Sequence, residues 1–388
     1  MYDFQTFVNR REQGSIKWEI AKRVYRGDSE RLVALSIADM DFLMPPAIVE
    51  AVRDAADRLV YGYTMPTQAY YDAVISWMSR RHSWQIEQSW IAVSPGIVAA
   101  INYAILAFTN QGDGIIVQMP VYRPFHASVA DHQRKIINNA LVRNGKRYEI
   151  DFDNLESCAA LPDTKMLILC NPHNPIGRVW TYSDLEKIAA ICTRHNVMVV
   201  SDEIHCDIVF KPNVHTSYGH LPRELRQNSI VCTSPSKTFN MCGLQVSNNI
   251  IENSGIRERF KKTANNCGFH GLNCFAGVAG IAAYNESEDW LDEFLQVIED
   301  NHKMVSDFTT KQLPKLEVFP LEATYLQWLN FAAFSFSTFD RERLLHENGI
   351  FFESGHIFGE GGETFERLNL AYPKTVLNAV MNRLAEIM

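Results

Sequence analysis

The eight cysteines include no C-x-x-C pair, so neither a zinc site nor a disulfide framework is expected, and a reduced setting fits. Basic residues are in the minority: 37 Lys and Arg stand against 45 Asp and Glu, a formal net charge of −8. That excess disfavours a nucleic-acid or anionic-membrane surface. The opening MYDFQTFVNRR has no apolar h-region, so no secretory signal is expected and a cytoplasmic location is. No G-x-G-x-x-G follows a strand-like run and no G-x-x-x-x-G-K-[ST] occurs, so dinucleotide and nucleoside triphosphate sites lack their usual marks. The longest charge-free stretch, Thr263 to Asn285, could span a bilayer by length alone. It contains Asn265, Asn266, His270, Asn273 and four glycines, and so reads as buried loop and helix. Internal repeats, low-complexity tracts and long linkers are also missing.

What is present is ordinary globular composition, 46% hydrophobic and 21% charged over 388 residues. At roughly 150 residues per domain, that length predicts two domains or one large domain with an appendage. The middle of the chain alternates short apolar runs with longer helical patterns. Gly114–Gln118, Met166–Cys170, Val197–Ser201 and Ser229–Thr233 read as buried strands. Ser183–Arg194 reads as a helix with Ser183 as its N-cap. This βαβ rhythm predicts an α/β fold with a mostly parallel, doubly wound sheet. Further on, an amphipathic segment near Trp290–Leu313 and a strand-like Thr324–Leu329 suggest a smaller α+β domain. The expected division is a large domain over 46–285 and a small one built from 1–45 and 286–388.

Open α/β sheets bind ligands beyond the carboxyl ends of their strands. The residues immediately after the apolar runs are Pro120-Val121-Tyr122, then Asn171-Pro-His-Asn174, then Asp202-Glu-Ile-His205, then Ser234-Pro-Ser236-Lys237. Taken singly, Lys237 would be a solvated charge, Asp202 a helix cap and Tyr122 a core aromatic. Jointly they fit a pyridoxal phosphate site. A lysine amine condenses with the cofactor aldehyde and then serves as acid and base. A carboxylate keeps the pyridine nitrogen protonated. An aromatic covers the ring, and an amide suits its phenolate oxygen. The turn at Gly96, with Ile97 and Val98 opening a helix, would hold the phosphate beside the hydroxyls of Ser234 and Ser236. Arg367 matches a substrate carboxylate if it faces the cleft. Gly112-Asp-Gly114 and Gly359-Glu-Gly-Gly362 read as turns.

These motifs, in this order, resemble the fold-type I pyridoxal phosphate enzymes of the aspartate aminotransferase superfamily. More closely, the chain resembles the MalY/PatB-type cystathionine β-lyases, or C–S lyases. The likeness begins at Tyr2-Asp-Phe, Arg10-Arg11, Lys17-Trp18 and Ala38-Asp-Met-Asp-Phe42. It continues through Tyr61-Gly-Tyr63, Ser94-Pro-Gly96, Asn171–Pro175, Asp202–His205 and Ser234–Asn240 to Thr324-Tyr325 and Arg367-Leu-Asn369. The resemblance implies that Lys237 is the catalytic lysine, that Asp202 pairs with the pyridine nitrogen, that Asn174 bonds the phenolate and that Tyr122 stacks on the ring. It implies that Arg367, with Ala38 through its backbone, faces the substrate carboxylate. It also implies that Tyr63 reaches the cofactor phosphate of a second subunit, in a homodimer with shared active sites.

Two positions resemble the lyases rather than aminotransferases. His205 stands three residues after Asp202, where aminotransferases commonly carry Tyr, and Gln245 stands eight after Lys237, where they carry Arg. Leu321-Glu-Ala-Thr departs from the family's Pro-Glu-Gly-Thr-like turn. The expected function is β-elimination from L-cystathionine or a related cysteine S-conjugate, giving a thiol, pyruvate and ammonia. A class I/II aminotransferase is the alternative, and non-catalytic binding of a transcription regulator is a third. No metal is expected.

Overall fold

The computed structural model describes residues 1–388. Its central sheet has seven strands: β1 (Ile91–Ser94), β2 (Gly114–Val117), β3 (Lys135–Asn138), β4 (Thr164–Cys170), β5 (Met198–Asp202), β6 (Ser229–Thr233) and β7 (Ser247–Ile250). Their spatial order is β1-β7-β6-β5-β4-β2-β3. Strand β7 is antiparallel to both neighbours, and every other pair is parallel.

The strands read as continuous apolar runs because both faces are covered. On β4, Met166 and Ile168 pack to one side with Val200 and Ile230, under the helix Ile97–Phe108. The intervening Leu167 and Leu169 pack to the other side with Val199 and Val231, in the core that also contains Trp77, Trp180 and Trp290. The period of two therefore divides one apolar run between two cores.

Beyond the sheet, a helix of 25 residues, Glu288–Gln312, buries Trp290, Leu291, Phe294, Ile298 and Val305. It leads to a four-stranded antiparallel sheet formed by β8 (Glu317–Val318), β9 (Leu326–Asn330), β10 (Glu353–Ser354) and β11 (Phe365–Asn369), in the order β8-β9-β11-β10. Residues Val33–Ala34 pair in parallel with Ile350–Phe351, tying the N-terminal segment to this region. The charge-free stretch from Thr263 resolves into a helix end, a turn and the helix Cys274–Glu286, whose N-cap Asn273 accepts hydrogen bonds from the Phe275 and Ala276 N–H groups. No helix is long and apolar enough to cross a membrane.

One helix starts earlier than the sequence suggests. It spans Tyr182–Arg194, and its N-cap is Thr181, not Ser183. The Thr181 hydroxyl accepts from the Asp184 N–H at 3.1 Å while the Asp184 carboxylate accepts from the Thr181 N–H at 3.0 Å, a reciprocal capping box that Ser183 cannot form from inside the first turn. Thr181→Ala is therefore expected to destabilise the protein by about 1 kcal/mol, whereas Ser183→Ala changes stability by only a few tenths. Urea unfolding of the two variants, compared at equal m-value, checks this.

Candidate active site

Strands β4, β5 and β6 end level with one another: Cys170 is paired with Asp202, and Asp202 with Cys232. The residues at and just past these strand ends are thereby delivered to one rim. After β4 the chain turns through Asn174; Asp202 is the last residue of β5; after β6 a short helix, Pro235–Thr238, carries Lys237. Opposite them, Gly96 is the N-cap of the helix Ile97–Phe108 with φ +127°, a conformation open to glycine and strained for other residues. No side chain caps that helix, so the N–H groups of its first turn remain available to an anion.

These groups enclose a cavity of about 260 Å³. Among the residues singled out from sequence, Gly96, Ile97, Val98 and Ser236 line one end, and Tyr122, Asn174, Asp202, His205, Lys237 and Ala38 line the rest. A second cavity of about 480 Å³ opens outward from it and shares Ala38, Tyr122 and Lys237. Arg367 lines the outer one.

The cavity holds polar groups with unfilled valences. Asp202 is 4% exposed; one carboxylate oxygen accepts from the Ile204 N–H at 3.0 Å and the other has no donor in the chain. Burial pushes its carboxyl up to about 7, against the lowering effects of the Ile204 N–H and Lys237. His205 is buried with Nδ1 unpartnered, and burial holds its imidazole down at about 3, so it is neutral at physiological pH. Asn174 accepts from Arg367 Nη1 at 2.9 Å through Oδ1, which leaves its amide N–H groups free. Arg367, 3% exposed, also donates to the Ser36 carbonyl at 2.8 Å, lies 3.4 Å from the Glu353 carboxylate and keeps Nε unpartnered. Its guanidinium sits 4.8 Å from the Phe358 ring centroid.

The Lys237 amine donates to the Ala38 carbonyl at 2.5 Å, and the Tyr325 hydroxyl donates to the same oxygen at 3.0 Å. Burial lowers the amine's pKa, but the Cys242 thiol, Tyr122 phenol and Asp39 carboxylate outweigh it, and the net shift is upward. The protein's own groups thus hold this nitrogen as an ammonium.

The Ala38 carbonyl is fixed by the motifs around it. Lys17, fully buried, donates to the Asp39 carbonyl at 2.9 Å and pairs with the Asp39 and Asp41 carboxylates at 2.8 and 3.2 Å. Arg10 spans the same two carboxylates at 3.0 Å each. Asn240, three residues after Lys237, accepts from the Met40 N–H and donates to the Met40 and Phe42 carbonyls. Asn369 donates to the Ile37 and Asp39 carbonyls. On the far side, Tyr325 comes directly after Thr324, which has φ +71°. A β-branched residue in that region is strained by about 1–3 kcal/mol, so the turn that departs from the family pattern is held by its surroundings.

Two expected residues line neither cavity. Ser234 caps its own short helix, and its hydroxyl lies 2.6 Å from the Val246 carbonyl and 2.7 Å from the hydroxyl of Ser236, which does line the cavity. Tyr63 is fully exposed and stands outside its own chain's cavity. Conversely, Cys242, Ile204 and Cys170 line the cavity although nothing in the sequence marks them. Small apolar or thiol side chains carry no sequence signal of a site; only the turn after Lys237 brings Cys242 back beside the amine.

Residues 30–384 match the family of class I and II aminotransferases. The chain belongs to that family. Among similar members, cystathionine β-lyase PatB of Bacillus subtilis is 40% identical over 371 residues, covering 95% of each chain. Protein MalY of Escherichia coli is 30% identical over 381 residues, covering 97% of this chain and 96% of its own. Cystalysin of Treponema denticola, whose crystal structure contains a pyridoxal 5′-phosphate cofactor, superposes with a TM-score of 0.98 at 38% identity, over 100% of this chain and 98% of that one. The family shares the fold seen here, and its members are enzymes.

The raised Asp202 carboxyl has a consequence for stability. Its folded pKa of about 7 lies above the unfolded 3.8, so the folded state binds more protons between those values and loses stability as pH rises through that window. In cofactor-free protein, Asp202→Asn is expected to raise the melting temperature at pH 8 but much less at pH 5. The gain at the higher pH is on the order of 1–3 kcal/mol. Thermal denaturation of both proteins across pH 5–8 measures it; a pH-independent difference would contradict the assignment.

Proposed function

We propose that this protein is a pyridoxal-phosphate-dependent C–S β-lyase acting on L-cystathionine or related cysteine S-conjugates. The observation that carries the cofactor is the set of unfilled valences around one cavity. A carboxylate oxygen of Asp202 on the cavity wall without a donor suits a protonated pyridine nitrogen, the free Asn174 amide suits a phenolate, and the uncapped helix after Gly96 suits a phosphate. His205 and Gln245, both lining the cavity, and the 40% identity to a cystathionine β-lyase support elimination over transamination.

When bound, the cofactor supplies an aldehyde that condenses with amines and a cationic ring that withdraws the electron pair left at the substrate α-carbon. Every other task falls to the chain. Arg367, oriented by Asn174 and the Ser36 carbonyl, takes the α-carboxylate in its two-pronged fork. Lys237 Nζ removes the α-proton. Without cofactor that nitrogen is an ammonium held on the Ala38 carbonyl, so it would act as a base only as a free, neutral amine. Asp202 would hold a proton on the pyridine nitrogen. The Cβ–S bond then breaks, the thiol leaves, and water converts the remaining three-carbon fragment to pyruvate and ammonia.

In this reading the active unit is a homodimer. Tyr63 and its exposed neighbours Leu59, Val60, Tyr61 and Met65 form an apolar surface that a second copy would cover, bringing Tyr63 to the phosphate end of the other cavity. Residues 46–285 act as the cofactor-binding domain and 1–45 with 286–388 as the smaller one, in a cytoplasmic enzyme.

Purified holoprotein given L-cystathionine and no keto acid is expected to form pyruvate steadily, whereas a transaminase would stop after one half-turnover. Lys237→Ala is expected to lower that rate by about 10³-fold or more. It should also abolish the cofactor absorbance that borohydride reduction locks onto the wild-type chain. Steady pyruvate formation by the variant would overturn the role given to Lys237.

A further inference from the structure

Past the strand end that carries Asp202 lies a group of side chains that the reaction does not use. His82 ends the helix Gln68–His82, Cys206 sits in the turn that leaves β5, and His215 follows in the next loop. None of the three lines either cavity. Each offers a ligand atom within 4.8 Å of those of the other two, and the two imidazole planes are nearly perpendicular, at 89°. Cys206 is 4% exposed, and the side chains of His82 and His215 are 5% and 3% exposed.

Both rings are held by carboxylates. His82 Nε2 meets Asp207 Oδ1 at 2.7 Å, and His215 Nε2 meets Glu203 Oε2 at 3.1 Å. The carboxylates are themselves fixed. Asp207 accepts from the Trp77 indole at 2.9 Å and the Thr238 hydroxyl at 2.7 Å, and Glu203 from the Ser201 hydroxyl at 2.9 Å and the Tyr218 N–H at 2.8 Å. An ionised carboxylate only accepts, so each Nε2 carries the hydrogen of a neutral ring and each Nδ1 keeps a lone pair. His215 Nδ1 is buried and has no partner in the chain. A polar nitrogen removed from water and left unpaired is costly. A histidine whose second nitrogen donates to an anchored carboxylate is the usual form of a metal ligand, with its tautomer fixed and its basicity raised.

The geometry points to a binding site for one borderline-soft divalent metal ion, of the class of Zn²⁺, on His82, Cys206 and His215. Two imidazoles and a thiolate suit such an ion, and a water or a neighbouring carboxylate oxygen completes four-coordination. Bonds of about 2.0–2.3 Å put tetrahedral ligands roughly 3.3–3.8 Å apart, so a contraction of about 1 Å closes the group. The ion's charge offsets the two carboxylates buried behind the rings. It ties a helix end, the exit of β5 and a loop together, and the Asp207–Thr238 hydrogen bond brings that tie next to Lys237. The three ligands are too far apart in sequence for a spacing motif to mark them. The site stands whether or not the chain is a lyase.

Zn²⁺ is the probe. The untagged chain is produced with its cofactor in zinc-supplemented medium and dialysed against metal-free buffer before elemental analysis. Roughly one zinc per chain is expected, and X-ray absorption is expected to show one sulfur at about 2.3 Å and lighter ligands at about 2.0–2.1 Å. Cys206→Ala is expected to lower bound zinc about tenfold or more, and Glu203→Gln to weaken Zn²⁺ affinity about 10–100-fold. Cys242→Ala, which removes the thiol beside Lys237, retains the zinc. Only traces of zinc in the wild-type chain, a coordination shell without sulfur, zinc kept by Cys206→Ala or zinc lost from Cys242→Ala each overturns the site. If Cys206→Ala does not fold, the wild-type zinc content and sulfur shell decide together with Cys242→Ala.

Discussion

Burying the Asp202 carboxyl at the end of β5 is the constraint around which this molecule is arranged. A carboxylate removed from water, with one oxygen lacking a donor, is held in place only because the strands on either side leave it nowhere else to go. Its carboxyl sits near 7 where an exposed one would lie near 4, so the fold carries an unfavourable charge or an unwanted proton until a cation arrives. Such stored cost is characteristic of sites built to receive a charged ligand rather than to stabilise a chain. The neighbouring orphan groups, His205 Nδ1 and Arg367 Nε, share that character.

A second arrangement fixes one wall of the site. The carbonyl of Ala38 receives both the Lys237 amine and the Tyr325 hydroxyl, joining three segments that are far apart in sequence. It stays there because Lys17, Arg10, Asp39 and Asp41 form a buried ion cluster immediately behind it. Two cations face two carboxylates, so the cluster is charge-balanced; Arg10 and Lys17 also donate to the Met40 and Asp39 carbonyls, and the second Asp41 oxygen accepts from the Trp18 indole. Breaking one partner of such a cluster leaves an uncompensated buried charge, which costs far more than the cluster gains in net stability. The N-terminal segment therefore serves the site through its position, and its conspicuous Arg-Arg and Lys-Trp pairs are explained by packing. Arg11 stacks near the Trp18 ring while Trp18 itself donates to Asp41.

Much of this is legible in the sequence because the chemistry demands residue types with strong signals. A lysine, an aspartate, an asparagine and a tyrosine, each close behind a β-branched run, read as one rim once the runs are taken as parallel strands. The central strands are equally plain: no alternation, short length and polar boundaries suit a sheet covered on both faces. Local and directional features are the ones that escape. Ser234 has the residue type of a phosphate donor and stands three residues before Lys237, yet it lies behind the cavity wall, its hydroxyl between the Val246 carbonyl and the Ser236 hydroxyl. Ser183 precedes a periodic run as a cap would, yet Thr181 has the partner at the right spacing. Cys242 gives no signal at all.

Sequence alone determined the architecture, the order of the strands' polar termini and the class of cofactor chemistry, because apolar periodicity and residue type report directly on burial and on reactivity. It also put a glycine at position 96, where the anion-facing turn takes a positive φ that other residues resist. Tertiary structure decided which hydroxyls, amides and carboxylates still have a valence to offer. That depends on where each hydrogen bond is already spent, and a hydrogen bond between residues as distant as Arg367 and Asn174, or Lys237 and Ala38, leaves no trace in the spacing of the chain.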